Sequence, residues 1–331
     1  MNILITGSTG FVGSRLMFFL EEKGHQVWGI DNSEHCLREI HPNNIMGDIR
    51  KREDLQIFAD KAIELIIHCA AAKHDFGVDV DQYYSNNEYG TEVLMQFAEK
   101  QSISKIIYYS TVSVYGHAAV PCDESGELLA DNDYGKSKLA GEKVIEKFYQ
   151  KNSKLQIIFL RPSIIYGPNN FANMYNLIAM QNKKFWITIG NGSHIKSLVS
   201  LENLIEMTDW SMSRLQPGIQ IYNTLDKPYI TVKELMNIIA SHEGFSKPMV
   251  KVPLSLAVGI GKFFDLIAKL IKKDIPINSD RMRKFATSTE YYSEKIRKAG
   301  YIQKHTIEAE LAKTIDWYNK NKDRRWELDK H

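Results

Sequence analysis

Short apolar, β-branched runs alternate with helix-length segments through the first half of the chain, a pattern typical of buried parallel strands joined by helices. The pattern predicts strands over 2–6, 26–30, 65–69, 105–110 and 155–168. It predicts helices from Phe11 to Glu22 and over 84–100, 134–151 and 306–319. The fold class is therefore predicted to be α/β, with a doubly wound parallel sheet.

Gly7, Gly10 and Gly13 follow the first strand at intervals of three residues. A strand, a glycine turn and a helix start are typical of a dinucleotide-binding Rossmann fold. Gly7 permits the tight turn, Gly10 admits a pyrophosphate and Gly13 lets the helix pack on the strand. Phe11 and Val12 begin that helix, whose N–H groups are predicted to bind the anion.

Asp31 ends the second strand about twenty residues beyond the glycines, where a carboxylate accepts hydrogen bonds from ribose hydroxyls. Its charge repels a ribose phosphate, so it favours NAD over NADP. The alternative interpretation is that Asp31 caps a helix. Arg38 is nearby in the sequence, so the preference for NAD over NADP is left open. After the third strand come three small residues that leave room for a cofactor crossing the strand ends, Ala70, Ala71 and Ala72.

Tyr134 and Lys138 are four residues apart in a predicted helix and so share one face. A phenol has a pKa of about 10, but a nearby ammonium and a cationic nicotinamide favour the phenolate. We therefore expect Tyr134 to accept a proton. Thr111, at the end of the neighbouring strand, is expected to hold the same substrate hydroxyl.

Taken in order, these motifs resemble the extended short-chain dehydrogenase/reductases, in particular the NAD-dependent epimerase/dehydratase family. Further matches are NEYGT at 87–91, STVSVYG at 110–116, YGKSK at 134–138 and LRPSIIYGP at 160–168. The resemblance implies NAD as cofactor. It also implies cofactor contacts from Asn32, Asp48, Ile49, Lys73, Asn87, Tyr134, Lys138, Pro162 and Ile164.

The resemblance implies substrate contacts from Thr111, Ser113, Lys196 and Arg281. Lys196 stands where the family carries an arginine that meets a diphosphate, so the charge remains but the bidentate fork is lost. Ile164 replaces an asparagine that contacts the substrate in many epimerases. This substitution argues against the common UDP-hexoses.

The activity implied is nucleotide-sugar epimerisation, by transient oxidation of a sugar hydroxyl, usually at C4 in this family, and return of the hydride. Dehydration is disfavoured because Val112 and Ser113 stand where the dehydratases carry Asp-Glu. A nucleotide-sugar reductase or dehydrogenase using NAD(P) is the alternative. A non-catalytic, redox-sensing protein is a weaker one, since such proteins typically lose the tyrosine and lysine.

Composition sets further limits on partners and location. Lys and Arg total 42 against 40 acidic residues, so no field attracts nucleic acid. Three cysteines without metal-ligand spacing predict a reducing, cytoplasmic compartment and no metal site. The chain begins directly with the first strand, so no secretory signal is expected. A homodimer paired through the Tyr134 helix is implied by the resemblance.

The pattern loosens into shorter segments after Pro168. We predict an NAD-binding domain over 1–168, to which some later segments return, and a smaller α/β substrate domain over 169–331. Residues 254–271 form an apolar stripe with a basic edge that Lys272 and Lys273 extend. Burial in the substrate domain or an oligomer is the favoured interpretation, and a helix on a membrane surface is the second.

Overall fold

Seven strands form one parallel sheet in the computed structural model, which describes residues 1–33, 38–72, 79–116, 118–183, 187–247, 250–253, 255–256, 258–259, 262 and 288–323. They are β1 (Asn2–Thr6), β2 (Gln26–Asp31), β3 (Asn44–Met46), β4 (Leu65–His68), β5 (Lys105–Tyr109), β6 (Gln156–Pro162) and β10 (Gly218–Thr224). Their spatial order is β3-β2-β1-β4-β5-β6-β10. This order confirms the predicted Rossmann-type fold class.

Two pairs of short strands lie outside the main sheet. One pair is β7 (Ile164–Tyr166) with β9 (Leu198–Ser200), and the other is β8 (Ile187–Ile189) with β11 (Val250–Val252). Both pairs are parallel. The predicted strand over 155–168 is therefore two strands, because the chain leaves the main sheet after Pro162 and joins β9.

Three of the four predicted helices, over 11–22, 134–151 and 306–319, are observed within two residues of their predicted bounds. The helices of the described residues are α1 (Phe11–Glu22), α2 (Arg52–Gln56), α3 (Val80–Tyr84), α4 (Gly90–Lys100), α5 (Asp133–Lys151), α6 (Asn173–Gln181), α7 (Leu201–Met212), α8 (Val232–Ala240), α9 (Glu294–Lys298) and α10 (Ile307–Asn321). A π-helical turn, Ser85–Tyr89, joins α3 to α4. The predicted helix over 84–100 therefore begins four residues earlier and contains a widened turn.

Alternate side chains of β1 pack into two separate hydrophobic cores, one on each face of the sheet. Ile3 and Ile5 pack with Leu16 of α1 and Leu204 of α7. Leu4 packs on the opposite face, in the cluster that holds residues of α4 and α5. Both faces of the strand are therefore buried under helices, which is why it reads as a continuous apolar run.

A third core lies between elements that follow β6. Tyr166, Ile178, Leu235 and Leu311 are members, so α6, α8 and α10 pack around it. By contrast, β10 and α7 belong to the main sheet and its helical layer. The domain boundary at residue 168 stays a prediction.

Some predicted features lie outside the described residues: Lys73, Arg281 and most of the stripe over 254–271. Within the part of the chain that is described, no helix is both long and apolar enough to cross a membrane.

Candidate active site

The glycine turn is closed by contacts that leave no room for side chains. Gly7 has φ +70°, and a Cβ there would lie 2.6 Å from the backbone nitrogen of Ala70. A Cβ on Gly13 would lie 2.0 Å from the carbonyl oxygen of Gly7. Residue 13 must therefore be glycine because of the Gly7 carbonyl in the turn. The sequence predicted a different reason, namely the packing of the helix on the strand. No side chain caps α1 at Gly10. The first N–H groups of an uncapped helix start are suited to bind an anion.

Asp31 lies beside this turn, at the carboxyl end of β2. Its carboxylate accepts hydrogen bonds from the backbone N–H of Thr9 at 3.0 Å and of Ser33 at 3.0 Å. Arg38 donates to the carbonyl oxygens of Thr9, at 3.4 Å, and of Asn169, at 2.9 Å. Asn32 is exposed next to Asp31. Both carboxylate oxygens of Asp31 thus accept backbone hydrogen bonds, and its contact with a ribose stays a prediction.

Asp48 and Ile49, the predicted adenine contacts, have other neighbours in the structure. Burial acts to raise the pKa of Asp48. Arg50 donates hydrogen bonds to both carboxylate oxygens and carries a positive charge, and these effects outweigh burial, so the pKa of Asp48 is lowered. The Ile49 side chain is buried in the core, where it would meet a Cβ on Gly90 at 2.9 Å. Their contact with adenine stays a prediction.

Asn87 ties the loop after β4 to α5. Its buried side chain accepts a hydrogen bond from the Ala72 N–H at 2.8 Å and donates to the Ala72 carbonyl at 3.2 Å. It also donates to the Ser137 hydroxyl at 2.8 Å. The π-helical turn holds Asn87 in this position, and such turns frequently occur at functional sites.

The structure brings the start of α5 against the turn that follows β5. Asn132 caps α5, and a Cβ on Gly135 would lie 2.5 Å from the Ser113 carbonyl oxygen. In that turn the Thr111 hydroxyl accepts the Ser113 N–H at 3.1 Å and donates to the Ser113 hydroxyl at 3.2 Å. Tyr134, in the first turn of α5, is therefore close in the fold to the two predicted substrate residues.

Lys138 is almost fully buried one helical turn after Tyr134, with 1% of its surface exposed. Burial lowers its pKa to about 7. Its Nζ atom has no hydrogen-bond partner among the described residues. A buried ammonium costs free energy unless it is bonded, so this nitrogen indicates a polar ligand group that completes its shell.

Lys196 lies beside Asp226 and Tyr229, which line the same small depression. Burial lowers the pKa of Lys196 to about 8 and raises that of Asp226 to about 6. Pro162 is buried at the end of β6, and Ile164 pairs with Leu198 and packs on the third core. Ile164 thus belongs to the short sheet beside the third core, and the substrate contact of Lys196 stays a prediction.

Two polar groups near these sites were not predicted from the sequence. Asp226 accepts hydrogen bonds from the Ser200 N–H and the Asn203 amide, both at 2.8 Å. Glu142 forms a buried ion pair with Arg161 behind α5. Glu142 lies four residues beyond Lys138, so the helical spacing could have placed it on the same face as the lysine. The sequence around Asp226 contains no comparable signal.

These residues fit a bound dinucleotide. The glycine turn and the uncapped start of α1 suit a pyrophosphate, and Asp31 suits a ribose diol. The buried, unpartnered Lys138 nitrogen suits hydroxyls of a second ribose.

A parallel sheet in this order, with a glycine turn after β1 and a YxxxK pair on α5, defines an extended short-chain dehydrogenase/reductase. The profile of the NAD dependent epimerase/dehydratase family matches residues 3–224. The chain belongs to this family, and its cofactor is NAD.

Similar proteins span nearly the whole chain. An N-acetyl-alpha-D-glucosaminyl-diphospho-ditrans,octacis-undecaprenol 4-epimerase of Escherichia coli O157:H7 is 27% identical over 96% of this chain and 95% of its own length. The structure of a UDP-glucose 4-epimerase from Thermotoga maritima has a TM-score of 0.76 and 21% identity, over 97% and 99% of the two chains. The structure of a UDP-glucuronic acid 4-epimerase from Bacillus cereus, in complex with NAD, has a TM-score of 0.75 and 21% identity, over 97% of this chain and 99% of its own.

Proposed function

We propose that this protein is an NAD-dependent 4-epimerase of a sugar carried on a diphosphate. The observation that carries the proposal is the packing of the Thr111–Ser113 turn against the start of α5, which holds Tyr134 and Lys138. It is supported by the similar proteins, which are named as 4-epimerases of such sugars.

The residues of this chain supply proton transfer and orientation. Bound NAD supplies reversible acceptance and return of a hydride. Tyr134, as the phenolate, removes the proton from the sugar hydroxyl and later returns it. Lys138, as the ammonium, favours that phenolate, and Thr111 orients the hydroxyl by hydrogen bonding. The sugar ketone must turn over in the pocket between the two hydride transfers for the configuration to invert.

A nucleotide sugar is the first substrate class that we propose. The epimerase structures that resemble this fold are named for UDP-glucose and UDP-glucuronic acid. Lys196 stands where the family carries an arginine that meets a diphosphate, so its positive charge would meet that group here.

A polyprenyl-diphosphate sugar is the second substrate class. The Escherichia coli relative named for such a substrate matches this chain almost from end to end. A lipid-linked sugar would present the same diphosphate to Lys196 but would carry no nucleobase. The apolar, basic sequence over 254–273 suits contact with an anionic membrane surface. Co-sedimentation of the intact protein with anionic liposomes tests this contact, and absence from the pellet would overturn it.

The proposal is tested by proton NMR of both substrate classes, incubated with purified protein and substoichiometric NAD. An epimerase inverts one sugar carbon without accumulating NADH. Conversion that stops when the added NAD is consumed would instead establish a dehydrogenase or reductase. Binding of NAD with no conversion of any sugar would favour the redox-sensing protein.

We also propose a homodimer that pairs through α4 and α5. Lys136, Lys143 and Lys147 are exposed on α5, while Glu92 and Glu99 are exposed on α4. A two-fold axis between two copies can place the basic helix of one against the acidic helix of the other. Light scattering should give twice the chain mass, and Lys143→Glu combined with Lys147→Glu should give the monomer.

A cytoplasmic location is proposed from the cysteines. Cys69 and Cys122 are free thiols in the described part of the chain, which suits a reducing compartment. Fractionation of cells that express a tagged protein tests this location.

A further inference from the structure

Tyr108, on β5, lies directly against the buried lysine of the active site. The Lys138 Nζ atom is 4.0 Å from the centroid of the Tyr108 ring. We propose that Tyr108 is a positioning residue: its ring face holds the Lys138 ammonium, and its hydroxyl fixes the helix that carries the lysine. Tyr108 would thereby present a charged Lys138 to NAD without touching the cofactor itself.

The hydroxyl end of Tyr108 has a fitted place on α5. It donates to the carbonyl oxygen of Lys138 at 3.3 Å. A Cβ on Gly141 would lie 2.2 Å from the same hydroxyl oxygen, so the helix admits it only because residue 141 is glycine. The tyrosine therefore contacts both the side chain and the backbone of Lys138.

The ring of Tyr108 is held from two further sides. The His68 ring lies 5.3 Å away between centroids and the Phe159 ring lies 5.8 Å away. His68 is itself fixed by the hydroxyls of Thr6 at 2.7 Å and Thr91 at 3.0 Å. Because Tyr108 has no exposed surface, its ring cannot swing away from the lysine without opening this core.

Because Lys138 is close to the midpoint between its ammonium and amine forms, a modest interaction with the Tyr108 ring changes how much of the ammonium is present. Burial lowers the lysine pKa to about 7, so the ammonium and the amine are both populated near neutral pH. A cation over the face of a desolvated aromatic ring is attracted by the ring quadrupole. The Tyr108 ring therefore favours the ammonium, the form that can donate to the ribose hydroxyls and support the Tyr134 phenolate.

Three titratable neighbours of Lys138, namely His68, Cys69 and Tyr108, stay uncharged over the relevant pH range. From β4, His68 has its pKa lowered well below the usual value by burial, and burial raises the pKa of the Cys69 thiol. Burial also raises the pKa of Tyr108 itself. On α5, Glu142 is paired with Arg161, and Tyr134 is the group that the lysine serves. A titration of the Lys138 signal between pH 5.5 and 8 is therefore not that of His68, Cys69 or Tyr108.

The inference rests on the proposed function only for the role of Lys138 toward NAD, and its test needs no sugar turnover. Lysine labelled with ¹³C at Cε reports the titration of Lys138 by NMR, in NAD-free protein, with the signal assigned through its loss in Lys138→Arg. Tyr108→Leu should lower the titration midpoint by about one pH unit, and Tyr108→Phe should leave it within a few tenths because the ring remains.

NAD affinity gives an independent signature. A midpoint lowered by about one unit from about 7 should weaken NAD binding to Tyr108→Leu about fivefold at pH 7 and hardly at pH 5.5, where the lysine is charged in both proteins. Tyr109→Leu is the matched control. Tyr109 is the next residue of β5, also buried, but it faces the other core and bonds Thr208. This control should not move the midpoint.

The inference is overturned if NAD binding to Tyr108→Leu weakens equally at both pH values, since that is the result of lost packing alone. It is equally overturned if Tyr108→Phe loses as much as Tyr108→Leu. Should Tyr108→Leu fail to fold, phenylalanines of increasing fluorination at position 108 keep the ring shape while weakening its negative face. The midpoint should then fall step by step, and a constant midpoint would contradict the proposal. A protein that epimerises no sugar would still give these readouts.

Discussion

Glu142 and Arg161 form an ion pair that joins α5 to β6 inside the protein. Arg161 donates from Nε to Glu142 Oε1 at 2.9 Å and from Nη2 to Oε2 at 2.6 Å. The two side chains are 1% and 2% exposed. Arg161 also donates to the Tyr115 hydroxyl at 3.0 Å, which in turn donates to Asn223 on β10 at 2.7 Å. The helix that carries Tyr134 and Lys138 is thus fixed to two strands of the sheet.

Removing one partner of this pair should destabilise the fold strongly. Glu142→Gln leaves the Arg161 charge buried without its counter-charge, and such changes cost about 3–5 kcal/mol. Arg15 and Glu202 provide a matched control, since they also form two hydrogen bonds, at 2.9 and 3.0 Å, but their side chains are 32% and 25% exposed. Glu202→Gln should therefore cost about 0–1 kcal/mol. Urea unfolding of both variants measures the difference, and equal losses would contradict the expected role of burial.

Tyr134→Phe should abolish epimerisation while NAD still binds. The phenol is the proposed proton acceptor, and general acid–base groups contribute about 10²–10⁴-fold to a rate. Tyr149→Phe is the control, because Tyr149 lies on the same helix and only packs against the second core. We expect kcat to fall by at least 10²-fold for the first variant and to stay unchanged for the second. A Tyr134→Phe protein with normal kcat would remove Tyr134 from the mechanism.

The elements around the site were predictable because their signals are local. Gly7 must adopt a positive φ directly after an apolar run, and the helix predicted over 134–151 is observed as Asp133–Lys151. Asn132 supplies the cap that starts it. Backbone requirements of this kind are written into a few consecutive residues.

The contacts that tune the site were not predictable from such signals. Arg161 finds Glu142 only when β6 and α5 are packed, and Tyr108 reaches Lys138 from a strand 30 residues earlier. Lys138 was expected on the helix face, but its nearly complete burial depends on β4 and β5 as well. The pattern of one sequence predicts candidate residues for the site, whereas their partners follow from tertiary packing.

The buried lysine should make the stability of the NAD-free protein depend on pH. Lys138 has its folded-state pKa lowered from 10.5 to about 7, so between these values the unfolded chain binds more protons and stability rises with pH. The cost of the buried charge is full below pH 7, at roughly 3–5 kcal/mol. Lys138→Met should therefore raise the free energy of unfolding more at pH 6 than at pH 9. Lys136→Met, on the exposed side of the same helix, should show no such difference in urea unfolding.

The burial of Lys196 should make kcat/KM depend on pH, because the lysine loses its charge at a lower pH than an exposed lysine does. Burial lowers its pKa to about 8, so the cation that would meet the diphosphate is present below pH 8 and is lost as pH rises through that value. We expect kcat/KM, which reports groups of the free enzyme, to fall more than tenfold between pH 8 and pH 9.5 in the native protein. Lys138 loses its charge over the same range in both proteins, so Lys196→Arg, which keeps the charge at position 196, should fall about tenfold less than the native protein, and Lys196→Met should be low at every pH. A fall that persists unchanged in Lys196→Arg would assign the titration to another group and separate Lys196 from the diphosphate.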